Sequence, residues 1–134
     1  MIQFKVKTSE KCQFIDITNE ISHHISSQDW QEGLLLIMVP HTTAAVTINE
    51  SADSSVARDI ASQLNKIVPF EGDYQHLEGN SPAHIKSTLI GCDQLLPVEN
   101  GSPVLGTWQG IFFCEFDGPR SRRVNLKFIN NKKQ

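Results

Sequence analysis

The segment Asp73-Tyr74-Gln75-His76-Leu77-Glu78-Gly79-Asn80-Ser81-Pro82-Ala83-His84 sets two imidazoles and two carboxylates among turn-forming residues. It is too polar for a core and too rich in side-chain chemistry for an idle connector. Its second half reads as a helix start: Ser81 can cap, Pro82 suits the first helical position, and Gly91 can end the helix. His84 then falls in the first turn, where free backbone N–H groups favour anions and disfavour imidazolium. A neutral imidazole is the form that a metal ion takes. A third histidine, His41, follows Pro40 at the end of a strand pattern. Three imidazoles and one open position are the ligand set of a catalytic zinc site. His41, His76 and His84 are therefore candidate ligands, although no pair has the helical spacing of a zinc protease. Each of the three, taken alone, reads more readily as a hydrogen-bonded structural residue than as a ligand. Glu78 is a candidate general base, direct ligand or orienting carboxylate, with an exposed loop residue as the bland alternative.

A second group of residues suits an anion. Arg120 follows the turn Asp117-Gly118-Pro119, and Arg122 and Arg123 come directly after it. Guanidinium forks match phosphate and carboxylate, and the helix start at Ser81–Pro82 is a second anion site. Thr42, Thr43, Asn80 and Ser81 add neutral donors. Arg122 and Arg123 alternate on a strand, so one of them is expected to be salt-bridged and the other solvated. Arg120, alone on its turn, is the better candidate for phosphate.

The elements that must position these groups are legible in the pattern. Ile2, Phe4 and Val6 alternate with polar residues, giving a first strand with one buried face. Asp16 can cap a short helix with Ile17, Ile21 and Ile25 on one side; His23 and His24 read as surface histidines there. Leu34–Val39 is an uninterrupted apolar run, expected as a strand covered on both faces. Ala44–Glu50 follows as a second central strand, with Asn49, Glu50 and Asp53 at its far end. A helix is expected from about Ser54 to Val68, with Val56, Ile60, Leu64 and Ile67 as its apolar stripe. After the polar segment and its helix, Gln94–Val98 reads as a short strand that ends in an Asn100-Gly101 turn. Val104–Phe116 is the longest strand candidate, with Gly106 and Gly110 marking a bulge or a close approach. Val124, Leu126 and Phe128 make a last strand, and the polar tail Asn130–Gln134 is expected to fray.

The totals narrow the class. With 134 residues the chain forms one domain, 1–134, without repeats or linkers. The expectation is an α+β fold, a mostly antiparallel, distorted β-sandwich with about three helices. A formal net charge of −3 argues against nucleic acid as a partner, and the apolar runs are too short to span a membrane. Cys12, Cys92 and Cys114 form no C-x-x-C pair. They read as reduced, mostly buried thiols of a cytoplasmic protein.

Several of these stretches together resemble the YjbQ-like family, also called the secondary thiamine-phosphate synthase enzyme family. They are Pro40-His41-Thr42-Thr43-Ala44, Asn49-Glu50, Glu78–Lys86, Leu105–Ile111 and Glu115–Arg123. The resemblance implies a compact α+β sandwich assembled as a homotrimer. It also implies a cleft at the subunit contact where the counterparts of His41, His76 and His84 bind a divalent metal. The implied activity is thiamine-phosphate synthesis, a transfer that joins a pyrimidine diphosphate to a thiazole phosphate. The expectation is then a metal-binding trimeric enzyme acting on a small phosphorylated metabolite, with Glu78 and Arg120 as catalytic candidates. Zinc is the first candidate and magnesium the second, since three imidazoles suit zinc whereas diphosphate chemistry more often uses magnesium. Zinc-assisted hydrolysis and a non-catalytic trimer that binds a metal or an anionic metabolite are the alternatives.

Overall fold

The computed structural model describes residues 1–131, so the last three residues of the tail expected to fray lie outside the described residues. The chain runs β1 (Ile2–Lys7), β2 (Gln13–Asp16), α1 (Thr18–Ser27), β3 (Gly33–Met38), β4 (Ala44–Glu50), α2 (Ser54–Ile67), α3 (Ser81–Ile90), β5 (Asp93–Glu99), β6 (Ser102–Pro103), β7 (Gln109–Glu115) and β8 (Ser121–Asn130). All paired strands are antiparallel. They form two sheets, one in the order β1-β8-β3-β5-β6 and the other β2-β7-β4. This is the expected α+β sandwich.

Side-chain alternation sorts the residues into two cores. Phe4, Val6, Leu35, Ile37, Leu96, Val98, Val124 and Leu126 face inward from the larger sheet and meet Val46, Ile111 and Phe113 of the smaller one. The α1 residues Ile21 and Ile25 pack into the same cluster. The opposite side of the smaller sheet supplies Ala45, Phe112 and Cys114, which are covered by Leu64 of α2 and Ala83 of α3. β7 is thus enclosed on both sides, and Ile111 to Glu115 are all buried. Burying one large apolar side chain contributes about 1.5–3 kcal/mol, so these two interfaces carry most of the drive to fold.

Helix ends follow local chemistry. Asp16 accepts the Thr18 N–H at 2.9 Å just before α1, and Asp53 accepts that of Ser55 at 2.9 Å as the N-cap of α2. The N-cap of α3 is Asn80 rather than Ser81, and its side chain makes no capping bond. Gly91 closes that helix at φ 98°, and the Asn100-Gly101 turn joins β5 to β6 with both residues at positive φ.

Several expectations are corrected. β2 has no counterpart in the sequence pattern, because its four residues alternate too briefly to register. The span Val104–Phe116 is not one strand: Gly106–Trp108 form an exposed turn, and only Gln109–Glu115 extend. Gly110 does mark a close approach, since a Cβ there would come within 2.6 Å of the Ser51 side chain. Ile67 is 61 % exposed, and Val68 instead completes the buried side of the α2 region. The run Leu34–Val39 is covered on one face only: Leu35, Ile37 and Val39 are buried, whereas Leu34 and Met38 are exposed. Their outward neighbours are apolar too. Leu34 pairs with Pro97 and Ile129, and Leu36 pairs with Leu95. A run that is apolar on both faces in sequence therefore has one face uncovered in the single chain.

Candidate active site

One end of the sandwich is closed by a polar plug. Glu115 ends the buried strand β7, and Arg122 lies across from it on β8, both facing inward. Arg122 donates from Nε to Glu115 Oε1 at 2.8 Å and from Nη2 to Oε2 at 2.5 Å. Glu115 also accepts the Thr8 hydroxyl at 2.8 Å and the backbone N–H groups of Phe116 and Asp117 at 3.1 and 3.0 Å. Burial alone would raise its pKa. The bonds from Arg122, Asp117 and Thr8 outweigh that and hold the carboxyl below the usual range. Arg122 uses Nη2 again on Thr43 Oγ1 at 2.8 Å, which ties down the loop carrying His41. Arg123 faces solvent, so the expected division between the two arginines is observed.

Next to the plug the chain turns at Asp117-Gly118-Pro119, where the Gly118–Pro119 peptide is cis. Gly118 leaves no room for a side chain, because a Cβ would lie 2.9 Å from both Glu115 Cγ and Thr8 Oγ1. Arg120 then folds back on the turn. Its Nε donates to the Asp117 carbonyl at 2.8 Å and its Nη2 to Asp117 Oδ2 at 3.0 Å. The same Oδ2 accepts Asn80 Nδ2 at 3.0 Å, which links the turn to the start of α3. Asn80 Oδ1 is buried and has no partner among the described residues. Asp117 is shifted as Glu115 is: burial raises its pKa, but Asn80 and Arg120 prevail and lower it.

These parts wall a cavity of about 570 Å³. His41, Thr42, Thr43, Glu78, Asn80, His84, Arg120 and Arg122 line it, with Met38 and Cys92 on its outer side. The structure therefore gathers most of the residues singled out in the sequence. It leaves out two: Ser81 and His76 line a neighbouring cavity of about 460 Å³, which His84 shares.

The histidines divide accordingly. The rings of His76 and His84 stand 5.3 Å apart at 90°, and His76 Nε2 lies 3.8 Å from Glu78 Oε2. His41 is occupied elsewhere, since its Nε2 accepts the Arg123 backbone N–H at 2.9 Å. Burial and the Arg122 charge lower the His41 pKa, so the ring is neutral at pH 7. With its one lone pair used at Nε2, the proton sits on Nδ1, and that nitrogen is a donor. A closed three-imidazole metal shell does not fit this arrangement. Among the described residues no three His, Cys, Asp or Glu side chains converge as metal ligands.

Comparison with known proteins supplies the lineage. The family model described as UPF0047 protein YjbQ-like matches residues 2–131. The chain belongs to this family. Among its relatives, a UPF0047 protein of Methanocaldococcus jannaschii is 48 % identical over 132 residues, covering 98 % of this chain and 96 % of the relative. YugU of Bacillus subtilis is 44 % identical, covering 93 % of this chain and 96 % of YugU. A YjbQ/UPF0047 crystal structure from Clostridium acetobutylicum superposes with a TM-score of 0.93 at 51 % identity, covering 96 % of this chain and 100 % of that one. No helix of the described residues is long and apolar enough to cross a membrane.

Sequence reasoning missed two members of this YjbQ-like site. Glu115 was visible as a carboxylate inside an apolar run, facing an arginine on the next strand, and that pattern signals a buried ion pair. Cys92 gave no signal. The expectation of mostly buried thiols holds for Cys114 only; Cys92 is exposed and Cys12 is half-buried.

Proposed function

We propose that this YjbQ-like chain is an enzyme acting on a phosphorylated small molecule, with the 570 Å³ cavity as its anion-binding centre. One observation carries the reading. Arg120 is held from behind by Asp117, through Nε and one hydrogen of Nη2, so its end-on Nη1/Nη2 edge stays available beside the cavity. A guanidinium ordered before the ligand arrives loses less freedom on binding, and its fork matches two phosphate oxygens. His41 adds a neutral Nδ1–H donor, and Thr42 adds a hydroxyl.

Thiamine-phosphate synthesis is one reaction of the proposed kind. Diphosphate leaves the pyrimidine methyl carbon while the thiazole nitrogen forms the new bond. The protein would stabilise the charge on the leaving oxygens and hold the nucleophile in line. Arg120 and His41 would serve the first task. Glu78, on the same wall, is the carboxylate available to take a proton or orient the second substrate. Since the three histidines do not form a closed shell, no step is assigned to a metal.

The proposal includes assembly as a homotrimer. The uncovered stripe of Leu34, Leu36, Met38, Leu95 and Ile129 supports it, because contiguous apolar surface of this kind is rarely left to solvent. Met38 belongs both to the stripe and to the cavity wall, so covering the stripe would bring a second copy to the cavity mouth.

The test is titration of inorganic pyrophosphate into wild type, Arg120→Lys and Arg120→Ala, with melts to confirm folding. Losing a charge-assisted hydrogen bond costs about 1.5–3 kcal/mol, so affinity should fall roughly tenfold to a hundredfold in Arg120→Ala. Arg120→Lys should recover part of it, since an ammonium lacks the fork. Unchanged affinity in a folded Arg120→Ala would remove the cavity from the reading.

A further inference from the structure

We infer that Cys12 and Lys86 form a peroxide-sensitive modification site, in which the thiol sulfur and the lysine amine become joined by a sulfur–nitrogen bond. The site lies on the far side of α3 from the anion cavity and does not depend on the function proposed above.

Lys86 is the first observation. It is 1 % exposed, yet no carboxylate pairs with it among the described residues. Its Nζ meets Asn65 Oδ1 in a short hydrogen bond, Cys12 Sγ at 3.8 Å and the Phe70 ring at 4.4 Å from the centroid. Phe116 lies beyond, at 5.9 Å. A buried ammonium without an anion is costly, and natural proteins seldom keep one without a chemical role. Among the described residues in contact with Lys86 Nζ, the one that can supply negative charge is Cys12, through its sulfur. Lys86 Nζ is held 3.8 Å from the Cys12 sulfur, within reach of attack on it once the sulfur is oxidised.

Access is the second observation. Cys12 is half-buried and lines a cavity of about 420 Å³ between β2 and α2, together with Phe14, Ala57 and Phe112. A small oxidant can reach the sulfur from this side while Lys86 waits behind it. Cys114 offers no such chemistry, because it is fully buried and burial raises its pKa well above the ordinary value.

The chemistry balances with one hydrogen peroxide. The thiolate attacks, the O–O bond breaks, and a sulfenic acid and hydroxide form; two electrons pass from sulfur to peroxide. Hydroxide takes a proton from the Lys86 ammonium and becomes water. The freed amine then attacks sulfur, the S–O bond breaks, and the second water leaves with the remaining proton. Two thiol equivalents would reverse the link. Lys86 lies two residues beyond His84 on α3, so the bond would tether the helix of the anion site to the segment before β2.

The experiment uses the full chain carrying Cys92→Ser, which removes the exposed thiol, treated with equimolar hydrogen peroxide. The expected product is lighter by about 2 Da and yields one cross-linked pair of peptides containing Cys12 and Lys86; dithiothreitol restores the starting mass. Adding Cys12→Ser should abolish the product. Adding Lys86→Arg should abolish it too, while Cys12 gains oxygen instead. If Lys86→Arg does not fold, the peptide map of the Cys92→Ser chain decides alone. Oxygen addition at Cys12 without a cross-link, or no reaction at Cys12, would overturn the inference.

Discussion

The Glu115–Arg122 pair offers the sharpest test of how this site is built. Replacing Glu115 with Ala removes the acceptor of five hydrogen bonds: two from Arg122, one from Thr8 and two from backbone N–H groups. It also leaves a guanidinium inside the sandwich without its counter-charge, since Arg122 is itself only 5 % exposed. Removing one partner of a buried pair costs about 3–5 kcal/mol, much of it the cost of the stranded charge rather than of the lost bonds. For a chain of this length that corresponds to a fall in Tm of roughly 10–20 °C. Urea unfolding followed by circular dichroism, checked by calorimetry, would measure it. The paired variant Glu115→Leu/Arg122→Met should regain most of the stability, because it leaves no charge behind.

The same pair predicts how stability depends on pH. The native pKa of Glu115 lies below its unfolded value, so its contribution is complete above the unfolded carboxylate range and disappears as pH falls through the depressed native pKa. Glu115→Ala should flatten that part of the acid limb. A loss under about 1 kcal/mol, or a double variant no more stable than Glu115→Ala, would refute the reasoning.

Three further outcomes are expected. The His41 imidazole should titrate below the free value of about 6.5 in NMR, because burial and Arg122 disfavour its cation; the stability it contributes is full near pH 7 and is lost as pH falls through the native pKa. A value at or above the free one would contradict the assigned donor at Nδ1. In zinc titrations followed by calorimetry, His76→Ala and His84→Ala should each lower affinity at least tenfold, whereas His41→Ala should change it little; equal losses in all three would restore a three-histidine centre. Sedimentation should give a trimer for wild type and a smaller species for Leu95→Glu, whose side chain is exposed on the uncovered stripe; a wild-type monomer at micromolar concentration would end the trimer proposal.

Legibility in the sequence followed the range of the interactions. Alternation of period two marks β1, β4 and β8, and Asp16 marks the start of α1, one residue before its Ile17 N-cap, because these signals are local. The Leu34–Val39 run misled for a physical reason: its composition suits burial on both faces, but the second face is uncovered in one chain. Asn80 displaced Ser81 at the start of α3, with its amide committed to Asp117, a partner that no local rule can see. The cavity draws His41, Asn80, His84 and Arg120 from three separate stretches, and residue type singles out each of them as a ligand or anion-binding candidate. Residue type could not place His76 in the neighbouring cavity, nor show that His41 spends its lone pair on Arg123. Those facts depend on the direction of a side chain, which spacing does not encode outside a regular element.

The two arginines at the site differ in what holds them, and that difference assigns their work. Arg122 is locked between Glu115 and Thr43, with its Nε and Nη2 committed, so its contribution is to keep the His41–Thr43 loop in place. Arg120 is fixed from behind and open in front. Each guanidinium is paired with a carboxylate, and the chain carries a formal net charge of −3, so long-range attraction of an anion is weak. Under the proposed anion-binding function, recognition would rest on short-range geometry: the fork of Arg120, with the His41 Nδ1–H and the Thr42 hydroxyl as further donors on the same cavity wall. Such a site would select by the placement of oxygens, so a diphosphate should outcompete sulfate by a margin that persists at high salt, where the difference in their charge is screened.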